Sequence, residues 1–93
     1  MYYRITGVSF KPDSRDAIFA YADGARDQMK GIAGLQNVQT VETGEGTMLL
    51  IAVYDNQANA EAGALVARQI LGGMAAHFTA MPTEQVGPVV WTL

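Results

Sequence analysis

The sequence has no cysteine among its 93 residues. Disulfide bonds, thiolate-bound zinc, iron–sulfur clusters and cysteine nucleophiles are therefore excluded, and the absence fits a reducing compartment. A single domain of this size buries only about 60–65% of the surface that its unfolded chain exposes. The fold must therefore be held by noncovalent packing alone, with little stability to spare.

Charged residues are also scarce, at 16% of the chain, whereas about 25% is usual for a globular domain. The six Lys and Arg residues do not cluster, and the net charge is −3. Because phosphate groups are bound by basic patches, neither nucleic acid nor an anionic membrane surface is an expected partner. A small domain has much surface for its volume, so this low charge indicates that another subunit covers part of it.

Long apolar runs are absent as well. No run reaches the roughly 18 residues that a membrane-spanning helix needs. The segment from Met1 to Thr6 lacks the basic stretch followed by an apolar stretch that marks a secretory signal. We therefore expect a cytoplasmic protein with no membrane partner.

The hydrophobic pattern predicts strands and helices in the order β-α-β-β-α-β within one domain, residues 1–93. The first helix starts at a cap, Asp13 or Ser14, and ends near Gly31, and the second runs from Ala60 to about Met81. The predicted strands cover residues 2–11, 38–43, 47–54 and 86–93. This order is typical of an α+β, ferredoxin-like fold, a four-stranded antiparallel sheet with two helices on one face.

The third predicted strand has no polar side. Every residue from Met48 to Tyr54 is apolar or aromatic, whereas a strand with one solvated face alternates. The helices cover only one face of the sheet, so a second copy of the chain is expected to cover the other, as a homodimer. The alternative is an isolated apolar strand that local side chains shield.

Three segments carry a resemblance to a known family. They are Phe10-Lys11-Pro12, Gly31-Ile32-Ala33-Gly34-Leu35 and Tyr54-Asp55-Asn56-Gln57-Ala58-Asn59-Ala60-Glu61-Ala62. Over nearly its whole length the chain resembles the dimeric α/β-barrel superfamily, in particular the antibiotic biosynthesis monooxygenase domains. The resemblance implies a dimeric α/β barrel, in which two sheets face each other with the helices outside. It also implies a pocket between sheet and helices in each subunit.

Members of this family include cofactor-free oxygenases of aromatic polyketides or quinols, haem-degrading enzymes and proteins of unknown role, so the fold alone does not choose among them. The chain departs from the family pattern at two places. Tyr54 stands where the family has a tryptophan, and Gly63-Ala64 stands where many members have a histidine. The first strand also lacks the asparagine of the haem-degrading branch, so haem degradation is not expected.

His77 and Tyr54 are the candidate catalytic residues. His77 is the only histidine and follows Met74 on the predicted buried stripe of the second helix, where it could act as a general base. The alternative is a hydrogen-bonded histidine at the edge of the core. Tyr54 could stack on or hydrogen-bond an aromatic ligand, or be a strand-end tyrosine with a solvated hydroxyl. One histidine without a carboxylate pair gives no metal site.

Five further side chains are candidates for the substrate pocket, although each also fits an ordinary place in the core or on the surface. They are Tyr21, Met74, Phe78, Trp91 and Arg68, of which Arg68 could bind an acidic group of a ligand. The doublet Gly72-Gly73 lies inside the second predicted helix, where each glycine costs about 1 kcal/mol relative to alanine. It indicates close packing of a neighbour or a break in the helix.

We therefore expect a small, largely apolar and aromatic ligand. As an enzyme, the protein would oxidise a phenol or quinol with O₂ and no cofactor, with His77 taking the proton and Tyr54 orienting the ring. The alternatives are a non-catalytic, ligand-binding or stress-responsive dimer, and a structural oligomerisation domain without a ligand.

Overall fold

The computed structural model describes residues 1–93 and contains four strands and three α-helices. The strands are β1 (Tyr2–Ser9), β2 (Leu35–Gly44), β3 (Thr47–Tyr54) and β4 (Thr83–Pro88), and the helices are α1 (Arg15–Gly24), α2 (Arg26–Lys30) and α3 (Gln57–Gly72). Two 3₁₀ turns, Pro12–Ser14 and Ala75–His77, precede α1 and follow α3. The predicted order is confirmed, with the first helix divided in two.

The strands form one antiparallel sheet in the order β2-β3-β1-β4, the arrangement of a ferredoxin-like fold. The central strands β1 and β3 pair from Tyr2↔Tyr54 at one end to Ser9↔Thr47 at the other. The β2–β3 hairpin turns at Gly46, whose φ of 80° is the left-handed conformation that favours glycine. This register fixes which side chains lie at each end of the sheet.

The two faces of the sheet differ in burial, because successive side chains of a strand alternate between them. On β1, Arg4, Thr6 and Val8 are buried beneath the helices. The opposite face, here called the open face, is partly exposed, and its central side chains are Tyr3, Ile5, Leu49, Ile51 and Val53. The single chain thus leaves one apolar side of β3 half-covered, and the predicted pairing with a second copy stays a prediction.

The core lies between the helix-facing side of the sheet, α1 and the C-terminal half of α3. Its buried residues are Val8, Phe10, Ile18, Ala25, Met48, Ile70, Leu71 and Met74. Val8 and Met48 are cross-strand partners, and Phe10 continues β1 as a single bridge to Phe78. The best-packed part of the molecule is therefore the end of the sheet near Ser9.

The first helical region differs from its prediction. It is interrupted at Ala25, whose φ of −96° and ψ of 2° are not helical, so that α1 and α2 are separate. Ser14 precedes α1 but its side chain makes no capping hydrogen bond. Its Oγ lies 2.9 Å from the Nδ1 atom of His77 instead. No helix of the protein is both long and apolar enough to cross a membrane.

The prediction of the second helix and the last strand was wrong in its boundaries. The helix ends at Gly72 instead of Met81, because two successive glycines weaken it there. Strand β4 covers Thr83–Pro88 instead of 86–93. Pro88 pairs with Tyr2, the first residue of β1, so the ladder has no partner strand beyond that point. The last five residues lie outside the sheet, although the Val89 amide still donates to the Met1 carbonyl at 3.0 Å.

Candidate ligand-binding cavity

A cavity of about 450 Å³ lies between the helix-facing side of the sheet and all three helices. Twelve of its 20 lining residues are hydrophobic, among them Leu50 and Ala52 of β3 and Ile70 and Leu71 of α3. Small-molecule sites are concave, mostly apolar and of this size, with a few polar groups that fix orientation. The pocket that the family resemblance implied between sheet and helices is therefore present as a cavity.

Arg4 is the charged residue of the cavity floor, and only 6% of it is exposed. Its Nη1 atom donates to Glu84 at 3.1 Å, and its Nη2 atom donates to the carbonyl of Ala60 in α3 at 2.8 Å. Its Nε atom is buried and has no hydrogen-bond partner. An unpaired buried donor on a charged group is costly, so Arg4 is the most unusual residue of the cavity lining.

The carboxylate of Glu84 is shared between two guanidinium groups. The same Oε2 atom accepts from Arg4 at 3.1 Å and from Nη2 of Arg68 at 3.1 Å. Two cations and one anion leave this cluster with a net charge of +1. Since Arg4 is buried and Arg68 is mostly exposed, water screens the charge of Arg68 well and that of Arg4 poorly.

Tyr54 forms part of the cavity wall at the end of β3 and is 1% exposed. Its ring packs against Gly63 of α3, where an added Cβ would lie 2.6 Å from the tyrosine hydroxyl. Glycine is therefore required at position 63 for Tyr54 to occupy this place. Tyr54 and Gly63, the two positions at which the sequence departs from the family pattern, are therefore in direct contact.

The mouth of the cavity carries the remaining charges. Arg26 donates two hydrogen bonds to Asp23, from Nε at 3.0 Å and from Nη2 at 2.8 Å. Lys30 lies beside them and has no salt-bridge partner. All three residues are exposed, so their charges are screened by solvent and their pairing is worth little. The mouth is polar while the interior is apolar.

His77 lies away from this cavity. It is in the 3₁₀ turn after α3, not on the helix, and its neighbour Phe78 bridges to Phe10. Tyr54 pairs with Tyr2 at the opposite end of β1. The distance from Tyr2 to Phe10 along the strand is about 26 Å at the usual rise per residue. His77 and Tyr54 therefore do not face the same bound molecule. A catalytic role for His77 stays a prediction, and His77 does not line the cavity.

Of the five predicted pocket residues, only Met74 lines the cavity. The others lie elsewhere in the structure. Phe78 packs against the core, Trp91 is 75% exposed in the C-terminal tail, and Arg68 binds Glu84. The hydroxyl of Tyr21 lies so close to Gly73 that a Cβ there would collide with it, which confirms close packing at Gly73 but not at Gly72.

Arg4 is not among the site residues predicted from the sequence. Within β1 it is the single charged residue, and it shares a face with Thr6 and Val8. This position on the core-facing side could have been noticed in the sequence, because a charge buried on a central strand needs hydrogen-bond or ion-pair partners. The prediction of this strand rested on its β-branched and aromatic residues and did not include Arg4.

No family model and no curated protein matches the chain. Among solved structures, it is similar to a monooxygenase from the ActVA-Orf6 gene of Streptomyces coelicolor in complex with nanaomycin D. The TM-score is 0.82 and the identity 9%, covering 99% of this chain and 89% of that one. An antibiotic biosynthesis monooxygenase matches with a TM-score of 0.77 and 14% identity, over 97% and 99% of the chains.

A third similar structure is Rv0793 from Mycobacterium tuberculosis, with a TM-score of 0.76, 15% identity and coverage of 98% and 96%. At such low identities these likenesses are evidence about the backbone and not about activity. They extend over nearly the whole chain and agree with the strand order and helix placement described above. The chain has the fold of the antibiotic biosynthesis monooxygenase proteins.

Proposed function

We propose that the protein is a monooxygenase that takes a small, largely apolar and aromatic substrate into the cavity between sheet and helices. The observation that carries the proposal is the cavity itself, about 450 Å³ with a mainly hydrophobic lining and a polar mouth. The same fold in a Streptomyces coelicolor monooxygenase complexed with nanaomycin D supports it. The substrate class proposed here is a phenol or quinol.

The proposed reaction needs no cofactor. A phenol or quinol that loses a proton becomes electron-rich and can reduce O₂ directly. Oxidation of an activated CH₂ group then places one oxygen atom in a new carbonyl group, while the second oxygen leaves as water with the two hydrogens. The electrons come from the substrate, so no other reductant is required.

The chain contributes geometry and charge to this reaction. Leu50, Ala52 and Ile70 exclude water from the substrate ring, which strengthens electrostatic interactions inside the cavity. Tyr54 forms the wall against which the ring is oriented. Arg4 is the buried charge of the cavity floor. The proton leaves through the mouth, where Asp23 is the one carboxylate of the lining.

A non-catalytic binding protein is the second candidate, and one observation favours it. The lining holds no histidine, and its single carboxylate, Asp23, already accepts two hydrogen bonds from Arg26. A general base must lie within reach of the proton that it removes. Binding without turnover needs no general base, so the cavity as it stands is sufficient for it.

We further propose that the chain pairs with a second copy through the open face. Its centre is apolar and half-covered. Exposed apolar patches of this kind are typical of interaction sites. Sedimentation should give twice the mass of one chain, and Ile51→Lys should reduce it to the mass of one. A wild-type mass of one chain at micromolar concentration would contradict the pairing.

Consumption of O₂ with a panel of quinols and anthrone-type phenols tests the monooxygenase directly. Ala67→Leu places three extra carbons in the cavity and should lower turnover about tenfold or more, because overpacking displaces the substrate. The matched control is Ala62→Leu on an exposed turn of the same helix, which should leave turnover unchanged. Binding of the panel without O₂ consumption would favour the non-catalytic candidate, and no binding at all would contradict both.

A further inference from the structure

Arg4 is a buried cation in the cavity lining to which the proposed oxidation gives no role. A charged side chain with so little exposure normally has all its donors paired, because the energetic cost of an unpaired one is high. Here two nitrogens are paired with Glu84 and Ala60, while Nε has no acceptor. The lining around it is mainly hydrophobic. The free protein thus holds a buried cation with one unsatisfied donor, and the Arg4 side chain lines a mainly apolar cavity.

We propose that Arg4 is the specificity-determining residue of the cavity and that it selects ligands carrying one anionic oxygen on an apolar body. The ligand class is an aromatic carboxylate or an ionised phenol, bound with its oxygen at the Arg4 guanidinium. A charge-assisted hydrogen bond in a site of low dielectric is strong and directional. The inference rests on the proposed function only in that both place the ligand in this cavity.

The surrounding charges support an anion in preference to a neutral ligand. Glu84 divides its negative charge between Arg4 and Arg68, so the cluster keeps a net charge of +1. No carboxylate of the cavity floor neutralises the remainder, since Asp23 lies at the mouth and is paired with Arg26. A bound anion beside the guanidinium would cancel this charge.

Arg68 has a different role from the one that its helical position predicted. It does not line the cavity, but it accounts for half of the contacts that hold the Glu84 carboxylate. Because Arg68 pairs with the same carboxylate oxygen, Glu84 offsets less of the positive charge of Arg4. Arg68 is therefore a positioning residue that acts on the ligand through Glu84.

Calorimetric titration with three probes of one shape tests the proposal: 2-naphthoate, 2-naphthol and methyl 2-naphthoate. The wild-type protein should bind 2-naphthoate about tenfold more tightly than the ester. Arg4→Met should abolish this preference while leaving affinity for the ester within about twofold. If 2-naphthol also loses affinity in the variant, phenols belong to the ligand class; if only 2-naphthoate does, the class is carboxylates.

Arg26→Met is the matched control, since it removes the same charge from the mouth of the same cavity. Because Arg26 is exposed and paired with Asp23, its loss should change the preference less than about threefold. An equal effect of the two variants would show general charge attraction and overturn the role of Arg4. A preference that survives Arg4→Met, or one that is absent from the wild type, would overturn it too.

Glu84→Gln keeps the proposal testable if Arg4→Met does not fold. The amide oxygen of glutamine can still accept from Arg4, but the negative charge is gone. The preference for 2-naphthoate should rise about threefold or more, whereas a purely structural Arg4 would leave it unchanged. Failure of all three probes to bind would overturn this proposal and the monooxygenase together. An Arg4-dependent preference without quinol turnover would overturn the monooxygenase alone.

Discussion

The two ends of the helix-facing side of the sheet differ in packing: one is a closed core and the other borders a cavity. Near Ser9, Val8, Phe10 and Met48 are each at most 3% exposed and pack into a closed core. Near Tyr2, the same strands present Arg4 and Tyr54 to a cavity. The residues that stabilise the fold thus lie at one end of the sheet, and those that would contact a ligand lie at the other. The same rigid strands hold both groups in place.

The largest expected effect compares Met48→Ala with Leu50→Ala, two residues apart on the same face of β3. Met48 is buried in the closed core, so its truncation should lower the free energy of unfolding by about 2–5 kcal/mol. Leu50 borders the existing cavity, so truncation should cost about half as much or less. Urea unfolding followed by circular dichroism measures both, and equal losses would break the distinction between the two ends.

The glycines of α3 give the next comparison. Gly63→Ala should lower the free energy of unfolding by about 1–3 kcal/mol, because the new methyl group meets the Tyr54 ring. Gly72→Ala is the control at the end of the same helix, where nothing lies within 4 Å. It should raise stability by up to about 1 kcal/mol, as alanine favours helix. A neutral Gly63→Ala variant would contradict the close contact that shapes the cavity wall.

The smallest effect is expected at His77. His77→Ala removes a single hydrogen bond to Ser14, so it should cost about 0.5–1.5 kcal/mol of stability. Turnover and probe affinity should stay within about twofold, whereas Tyr54→Phe, at the cavity end, should change one of them more. A drop of about tenfold or more in turnover for His77→Ala, without loss of folding, would restore the histidine as catalytic.

The boundaries of some elements could be predicted from the sequence, and those of others could not. The bounds of β3 are as predicted, 47–54, because a fully apolar run sits between the turn at Gly46 and the polar Asp55. The end of α3 was predicted wrongly, because the apolar spacing continues through Met74 and Phe78 after the helix has ended at Gly72. Periodicity alone does not reveal where a helix stops when core residues follow it in a 3₁₀ turn.

The candidate site was less predictable for a related reason. His77 was placed in the cleft by extending the helix through it, and the actual turn carries it to the end of the sheet near Ser14. Arg4 was passed over because one charge in a strand gives no periodic signal. It can be buried because the pairing of β1 with β4 places Glu84 opposite Thr6, within hydrogen-bond reach of Arg4, although the two are 80 residues apart in sequence. Long-range pairing of this kind is not visible in local sequence.

The most direct test of the account is an NMR titration of the ¹⁵N-labelled protein with 2-naphthoate. We expect the largest amide shifts at Thr6, Leu50 and Ala67 around the cavity, together with a shifted Nε–H signal of Arg4. The amides near Ser14 and His77 should stay in place. Shifts confined to the open face or to the His77 end of the sheet, with the Arg4 signal unmoved, would contradict it.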